Sequence, residues 1–187
     1  MKEALYVCPP WIGRILASPL RKFYQDPDRI LTPYLNRGMT AMDVGCAMGF
    51  FSLPLARLVG PEGRVVCVDL QETMLEQLKK RARRTGLLPR LICIKADSDS
   101  LALASWEERI DIALAFAVMH EIPEQGEALR EISAALKKGG RLLLAEPKGH
   151  VTLNYFSRTM GLARRQNLIL EGNPDIRGSH TALLRKE

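Results

Sequence analysis

Met42-Asp43-Val44-Gly45-Cys46-Ala47-Met48-Gly49-Phe50 joins the end of an apolar, strand-like run to the start of a helix-like one. Asp43 stands just before a turn spaced by Gly45 and Gly49. A second apolar run, Val65-Val66-Cys67-Val68, follows about 20 residues after the turn and ends in another carboxylate, Asp69. Glycines let the backbone approach a ligand closely. An acid at the tip of the second strand is placed to accept hydrogen bonds from ribose hydroxyls. The spacing is that of a nucleoside-binding α/β unit.

Outward from this stretch the punctuation is regular. The pattern predicts strands over 40–44, 64–69, 91–95, 110–116 and 141–145, each dominated by apolar residues. Helices are predicted between them over 50–59, 71–85 and Pro123 to Lys138, the last capped by Gly139-Gly140. Met74, Leu75, Leu78 and Ala82 form the inward stripe of the 71–85 helix; the cations that end it suit the helix dipole. A further helix over 152–163 precedes two strands, 167–171 and 180–185, joined through Gly172-Asn173-Pro174 as an antiparallel edge. Strands alternating with helices give a doubly wound, mostly parallel α/β sheet. The whole of 1–187 reads as one domain, with 1–38 as an N-terminal helical lid segment and 39–187 as the core. Tyr6, Trp11, Phe23 and Tyr24 supply the lid's aromatic face.

Composition is that of a globular chain: 187 residues, 47% hydrophobic and 26% charged. Lys and Arg number 27 against 21 Asp and Glu, a formal charge of +6. That balance favours an anionic partner or a nucleic acid only weakly, because a solvated basic surface is the better explanation of it. Cys8, Cys46, Cys67 and Cys93 form no C-x-x-C pair, so a zinc site of ordinary spacing is not expected and no metal is assigned. Reduced thiols and the lack of a secretory pattern or a membrane-length apolar run imply a cytoplasmic protein without a membrane span.

Asp43-Val44-Gly45-Cys46-Ala47-Met48-Gly49 resembles the first motif of class I S-adenosylmethionine-dependent methyltransferases, acid-x-Gly-x-Gly-x-Gly. Val66-Cys67-Val68-Asp69 resembles their second motif, Ala96-Asp97-Ser98 their third and Asp111 to Ala115 their fourth. Leu136 to Pro147 is similar to the strand-five region that follows. The resemblance covers about residues 39–147 and extends to the closing strand pair. Its nearest subgroup is the small-molecule type that includes quinone-biosynthesis methyltransferases. It implies a seven-stranded Rossmann-like sheet with an antiparallel last strand.

The resemblance also implies S-adenosylmethionine as cofactor and assigns roles. Asp43 would hold the methionine ammonium, directly or through water. Gly45, Cys46, Ala47 and Gly49 would form the backbone floor beneath the methionine. Asp69 would accept from the ribose, with Leu70 against the adenine. Asp97 would accept from the adenine amine, and the Ser98 N–H would donate to the ring. Phe116 and Ala117 would line the edge near the sulfonium. Ala47 departs from the motif's central glycine; its methyl group is tolerable if φ stays negative, but the backbone then approaches the ligand less closely.

Methyl transfer needs alignment more than a conspicuous catalytic group. His120 and Glu121, after the fourth strand, are the catalytic candidates, with Glu146 and His150 as weaker ones and His180 read as structural. The plainer reading of His120, which outweighs catalysis, is that it caps the helix at Pro123 or lines the pocket. The acceptor is expected to be a small molecule. Its pocket is open or completed by a partner subunit, as in a homodimer. Three alternatives stand beside this reading. An RNA methyltransferase would suit the basic charge, although Phe116-Ala117-Val118-Met119-His120 carries no Asn/Asp-Pro-Pro-aromatic motif. A nicotinamide-dependent oxidoreductase would want glycine where Phe50 stands. A protein that holds S-adenosylmethionine without turnover is the third.

Overall fold

The computed structural model describes residues 25–187. Seven strands form one sheet: β1 (Thr40–Val44), β2 (Arg64–Asp69), β3 (Leu91–Lys95), β4 (Ile110–Phe116), β5 (Leu136–Pro147), β6 (Leu168–Gly172) and β7 (Ser179–Lys186). Their order is β3-β2-β1-β4-β5-β7-β6. β1 to β5 are mutually parallel, and β7 runs antiparallel between β5 and β6. The closing pair is thus antiparallel as expected, but the reversed strand is inserted and β6 is the edge. Strand order reverses between β1 and β4, the place where an open α/β sheet leaves a crevice beyond its carboxyl ends.

Side chains alternate across the sheet, and both faces are dry. Met42, Val44, Val66, Val68, Ala113, Ala115, Leu142 and Leu144 point to one side, under α4 (Gln125–Ala135) and α5 (Leu153–Arg165). Ala41, Val65, Cys67, Ile112, Leu114 and Leu143 point to the other, under α2 (Ser52–Leu58) and α3 (Glu72–Arg84). Two covered faces explain why these strands read as continuous apolar runs rather than alternating ones. α1 (Pro27–Leu31) lies against α2, with Leu31 buried in the second layer. Residues 1–24, with the aromatic side chains expected of the lid, lie outside the described residues.

One boundary differs from the sequence pattern. α4 ends at Ala135, not Lys138, and β5 begins at once. Leu136 leaves the helix with ψ 138° and pairs beside Ile110, and the next register pair is Ile112 with Arg141. The intervening residues bulge through Gly139 at φ +76°, while a Cβ on Gly140 would sit 2.8 Å from the Lys137 carbonyl oxygen. The burial of Leu136 against β4 overrides the helical propensity of Lys137 and Lys138.

The long β3–β4 connection, which forms one wall of the crevice, is fixed by a buried carboxylate. Glu131 on α4 accepts the Leu101 N–H at 2.9 Å and the Leu103 N–H at 3.1 Å. Glu131→Ala strands both donors. We expect it to lower the unfolding free energy by about 2–4 kcal/mol. Glu131→Gln, which keeps one acceptor oxygen, should lose about half as much; urea titration of the two variants reads the difference.

Candidate functional site

The crevice opens over the carboxyl ends of β1, β2 and β4. Asp43, Gly45, Cys46, Ala47, Asp69, Leu70, Asp97, Ser98, Phe116, Ala117 and Glu121 line it. Gly49 and His120 do not. Gly49, at φ +83°, is a packing position: a Cβ there would lie 2.3 Å from Leu78 Cδ1. Gly45, at φ +71°, lines the crevice and packs against the turn after β4, where a Cβ would lie 2.4 Å from Val118 Cγ2.

Two strand tips are locked together beneath the crevice. Asp69 Oδ2 accepts the Ala47 N–H at 2.8 Å, and Oδ1 accepts the Gln71 N–H at 2.9 Å. The first bond sets the turn after β1 and the second leads the chain into α3. Burial pushes the Asp69 carboxyl above its ordinary value, against the pull of these two N–H groups. Asp43, buried at the end of β1, accepts the Ser52 hydroxyl at 2.5 Å. Its negative charge therefore faces the first turn of α2, where a diphosphate would otherwise sit.

Ala47 does not meet the condition of a negative φ. Its φ is +45°, in the left-handed region rather than at a negative value. The Asp69 bond holds the turn there despite the Cβ. Ala117, after β4, also has a positive φ, +55°, and donates its N–H to the Ala145 carbonyl at 2.7 Å. Both strained alanines border the crevice. Cys46 is a packing residue. Burial pushes its thiol up to about 11, which leaves it protonated and unreactive near neutrality.

Several supporting groups had no motif to announce them. Arg81 on α3 reaches back to the Met48 carbonyl at 2.5 Å and clamps the turn from behind. Its spacing from Met74 and Leu78, on one face of α3, is the signal that places it there. Glu146, at the end of β5, is 2% exposed. Its Oε1 accepts the Val118 N–H at 3.3 Å and the Met119 N–H at 2.8 Å, and its Oε2 accepts from His120 Nδ1. Gln125 donates to the Met119 carbonyl at 2.6 Å from the start of α4. His120 is therefore held on the rim, turned toward β5. His150 lies parallel to it with ring centroids 6.4 Å apart. His180 sits in β7 against Phe156. Asp111 lies at the far, amino end of the sheet, where it accepts the Thr40 N–H at 2.8 Å and pairs with Lys137.

The charge of the lining is one-sided. Asp43, Asp69, Asp97, Asp99, Glu121, Glu124 and Glu131 all border the crevice, and among the described residues no Lys, Arg or His does. Phe50, Phe51 and Phe116 add an aromatic wall, with Phe51 and Phe116 centroids 4.5 Å apart. Such a site suits a ligand with positive charge and flat apolar parts, and the acidic lining fits a sulfonium nucleoside.

The model of a methyltransferase domain matches residues 35–170. The ubiquinone/menaquinone biosynthesis C-methyltransferase UbiE of Klebsiella pneumoniae is 30% identical over 113 residues, 60% of this chain and 44% of that protein. An uncharacterised 37.1 kDa protein of a Streptomyces fradiae transposon is 34% identical over 119 residues, 63% of this chain and 33% of that protein. The chain thus spans less than half the length of these relatives. A solved S-adenosylmethionine-dependent methyltransferase from Aquifex aeolicus shares the fold with a TM-score of 0.86 and 20% identity, over 97% of this chain and all of that one.

Ala47→Gly should relieve the left-handed strain. The relief, about 1–2 kcal/mol, is partly offset by the greater freedom of glycine in the unfolded chain. We expect a net gain of about 0.5–1 kcal/mol, seen as a rise in Tm of a few degrees. Gly45→Ala should do the opposite, since Val118 occupies the space.

Proposed function

The chain belongs to the methyltransferase-domain family, and from that premise we propose that it transfers a methyl group from S-adenosylmethionine to a small-molecule acceptor. The observation that carries the reading is the lining itself: seven carboxylates with no cation among the described residues. A sulfonium nucleoside is drawn into that field, whereas the phosphates of RNA or of a nicotinamide dinucleotide are repelled. Asp43 facing α2 adds a specific obstacle to a diphosphate.

Each lining residue has a task in this reading. Asp43 stabilises the methionine ammonium, and the turn through Gly45, Cys46 and Ala47 forms the floor beneath it. Asp69 keeps unused lone pairs on both oxygens for the ribose hydroxyls. Leu70 packs on the adenine; Asp97 and the Ser98 N–H meet its polar edge. Phe116 and Ala117 border the reacting centre. The bound donor supplies an electrophilic methyl carbon, so the protein's part is alignment and the exclusion of water. The UbiE relatives are named as C-methyltransferases of quinone biosynthesis, and the Phe50, Phe51 and Phe116 wall supports a small aromatic acceptor here.

Calorimetry on the folded chain tests this directly. S-adenosylmethionine and S-adenosylhomocysteine should each give saturable heat, and NAD none; heat from NAD alone would overturn the reading. Asp69→Asn should weaken binding of both nucleosides at least about tenfold, roughly 1.4 kcal/mol. Acidification should weaken binding sooner than for an ordinary aspartate. Burial raises the Asp69 carboxyl, so as pH falls it protonates earlier and loses the charge that accepts the hydroxyls. Affinity measured from neutral pH downward checks the sign.

A further inference from the structure

Glu146 has a second consequence beyond bracing the β4–α4 turn. One of its oxygens holds the Val118 and Met119 backbone, and the other holds His120 Nδ1. The carboxylate is fixed by buried backbone and so cannot follow the ring. A carboxylate at Nδ1 keeps the proton on that nitrogen, and neutral imidazole then carries its lone pair on Nε2. The His120 side chain is 23% exposed, and its chain neighbours Val118, Glu121 and Ile122 line the crevice. His150 lies parallel to it, with ring centroids 6.4 Å apart.

Resting on the proposed methyl transfer, we propose that Glu146 is a positioning residue that presents His120 Nε2 as proton acceptor for the methyl acceptor's nucleophilic atom. The acceptor is then one that must shed a proton: a hydroxyl, a thiol or an acidic carbon. The bookkeeping of the step closes. A bond forms between the nucleophilic atom and the methyl carbon while the carbon–sulfur pair stays on sulfur. The acceptor's proton passes to Nε2, and the single positive charge moves from sulfonium to imidazolium. The charged and titratable groups facing the ring are Glu146 from β5, Glu121 from its own turn and His150 from the loop after β5. The Glu146 hydrogen bond raises the imidazole above its ordinary value and outweighs the opposing effect of burial. The base is accordingly strong but protonated through a larger part of the neutral range.

NMR of the full chain with nitrogen-15-labelled histidine reads this without any acceptor. Neutral His120 should carry its proton on Nδ1, and its midpoint should lie above about 6.5. In Glu146→Gln the carboxamide oxygen still serves the two backbone N–H groups, while its NH2 faces Nδ1 as a donor. The proton should then move to Nε2 and the midpoint should fall below the wild-type one. An unchanged tautomer overturns the positioning role. The wild-type chain supplies a second readout that does not depend on the variant folding. The donor carries one more positive charge than S-adenosylhomocysteine. With the donor bound, the His120 midpoint should lie about 0.5 pH lower than with the product bound. Equal midpoints place His120 too far from the reacting centre and overturn the proposal alone. If calorimetry shows that neither nucleoside binds, the methyl-transfer reading falls and this one with it.

Discussion

The two hydrogen bonds to Asp69 couple everything that the crevice presents. One oxygen holds the Ala47 N–H and the other holds the Gln71 N–H, at 2.8 and 2.9 Å. Without the first, an alanine at φ +45° has no reason to remain left-handed, and the turn after β1 loses its shape. Without the second, α3 starts elsewhere, and α3 brings both Leu78 against Gly49 and Arg81 against the Met48 carbonyl. The carboxylate proposed to hold the ribose is thus also the brace of its neighbouring turn. Its unused lone pairs remain for a ligand because carboxylate oxygens accept more than one hydrogen bond each.

The parallel sheet was legible because covered strands have a simple signature. Runs such as Val65 to Val68, closed by Asp69, and Ile112 to Phe116 are apolar on both faces. The aspartates at the strand tips were legible for a related reason, since a charged residue at the end of an apolar run has to meet solvent or a ligand. The end of α4 was not legible. Lys137 and Lys138 have good helical propensity, and only the tertiary demand to bury Leu136 beside Ile110 pulls the chain out of the helix there.

The groups that support the site were harder to read than the groups that line it. Glu146 lies in a Leu-Leu-Leu-Ala-Glu-Pro run that announces only a strand end. Its importance comes from the turn after β4, whose Val118 and Met119 N–H groups it meets, and such a meeting depends on β5 lying beside β4. Ala47 shows the same limit in the backbone. Its side chain fits a negative φ perfectly well, so the left-handed conformation follows only from the distant Asp69. Local pattern specifies elements, and the long-range partners of a few polar atoms specify the site.

Charge completes the account of selectivity. The chain carries a formal charge of +6, yet its crevice is lined by acids. The described cations lie elsewhere, several along the last turns of α3 and at the amino end of the sheet with Asp111 and Lys137. A net charge read from composition would steer the whole molecule toward anions, but a ligand inside a cleft feels the near groups far more than the screened outer surface. The local field therefore decides the ligand's sign. Three of the seven acids are already engaged by protein donors: Glu131 by the Leu101 and Leu103 N–H groups, Asp43 by Ser52, and Asp69 by the Ala47 and Gln71 N–H groups. Engagement by neutral donors leaves a carboxylate its charge. These buried acids hold the architecture while still contributing to the potential that favours a sulfonium over a phosphate.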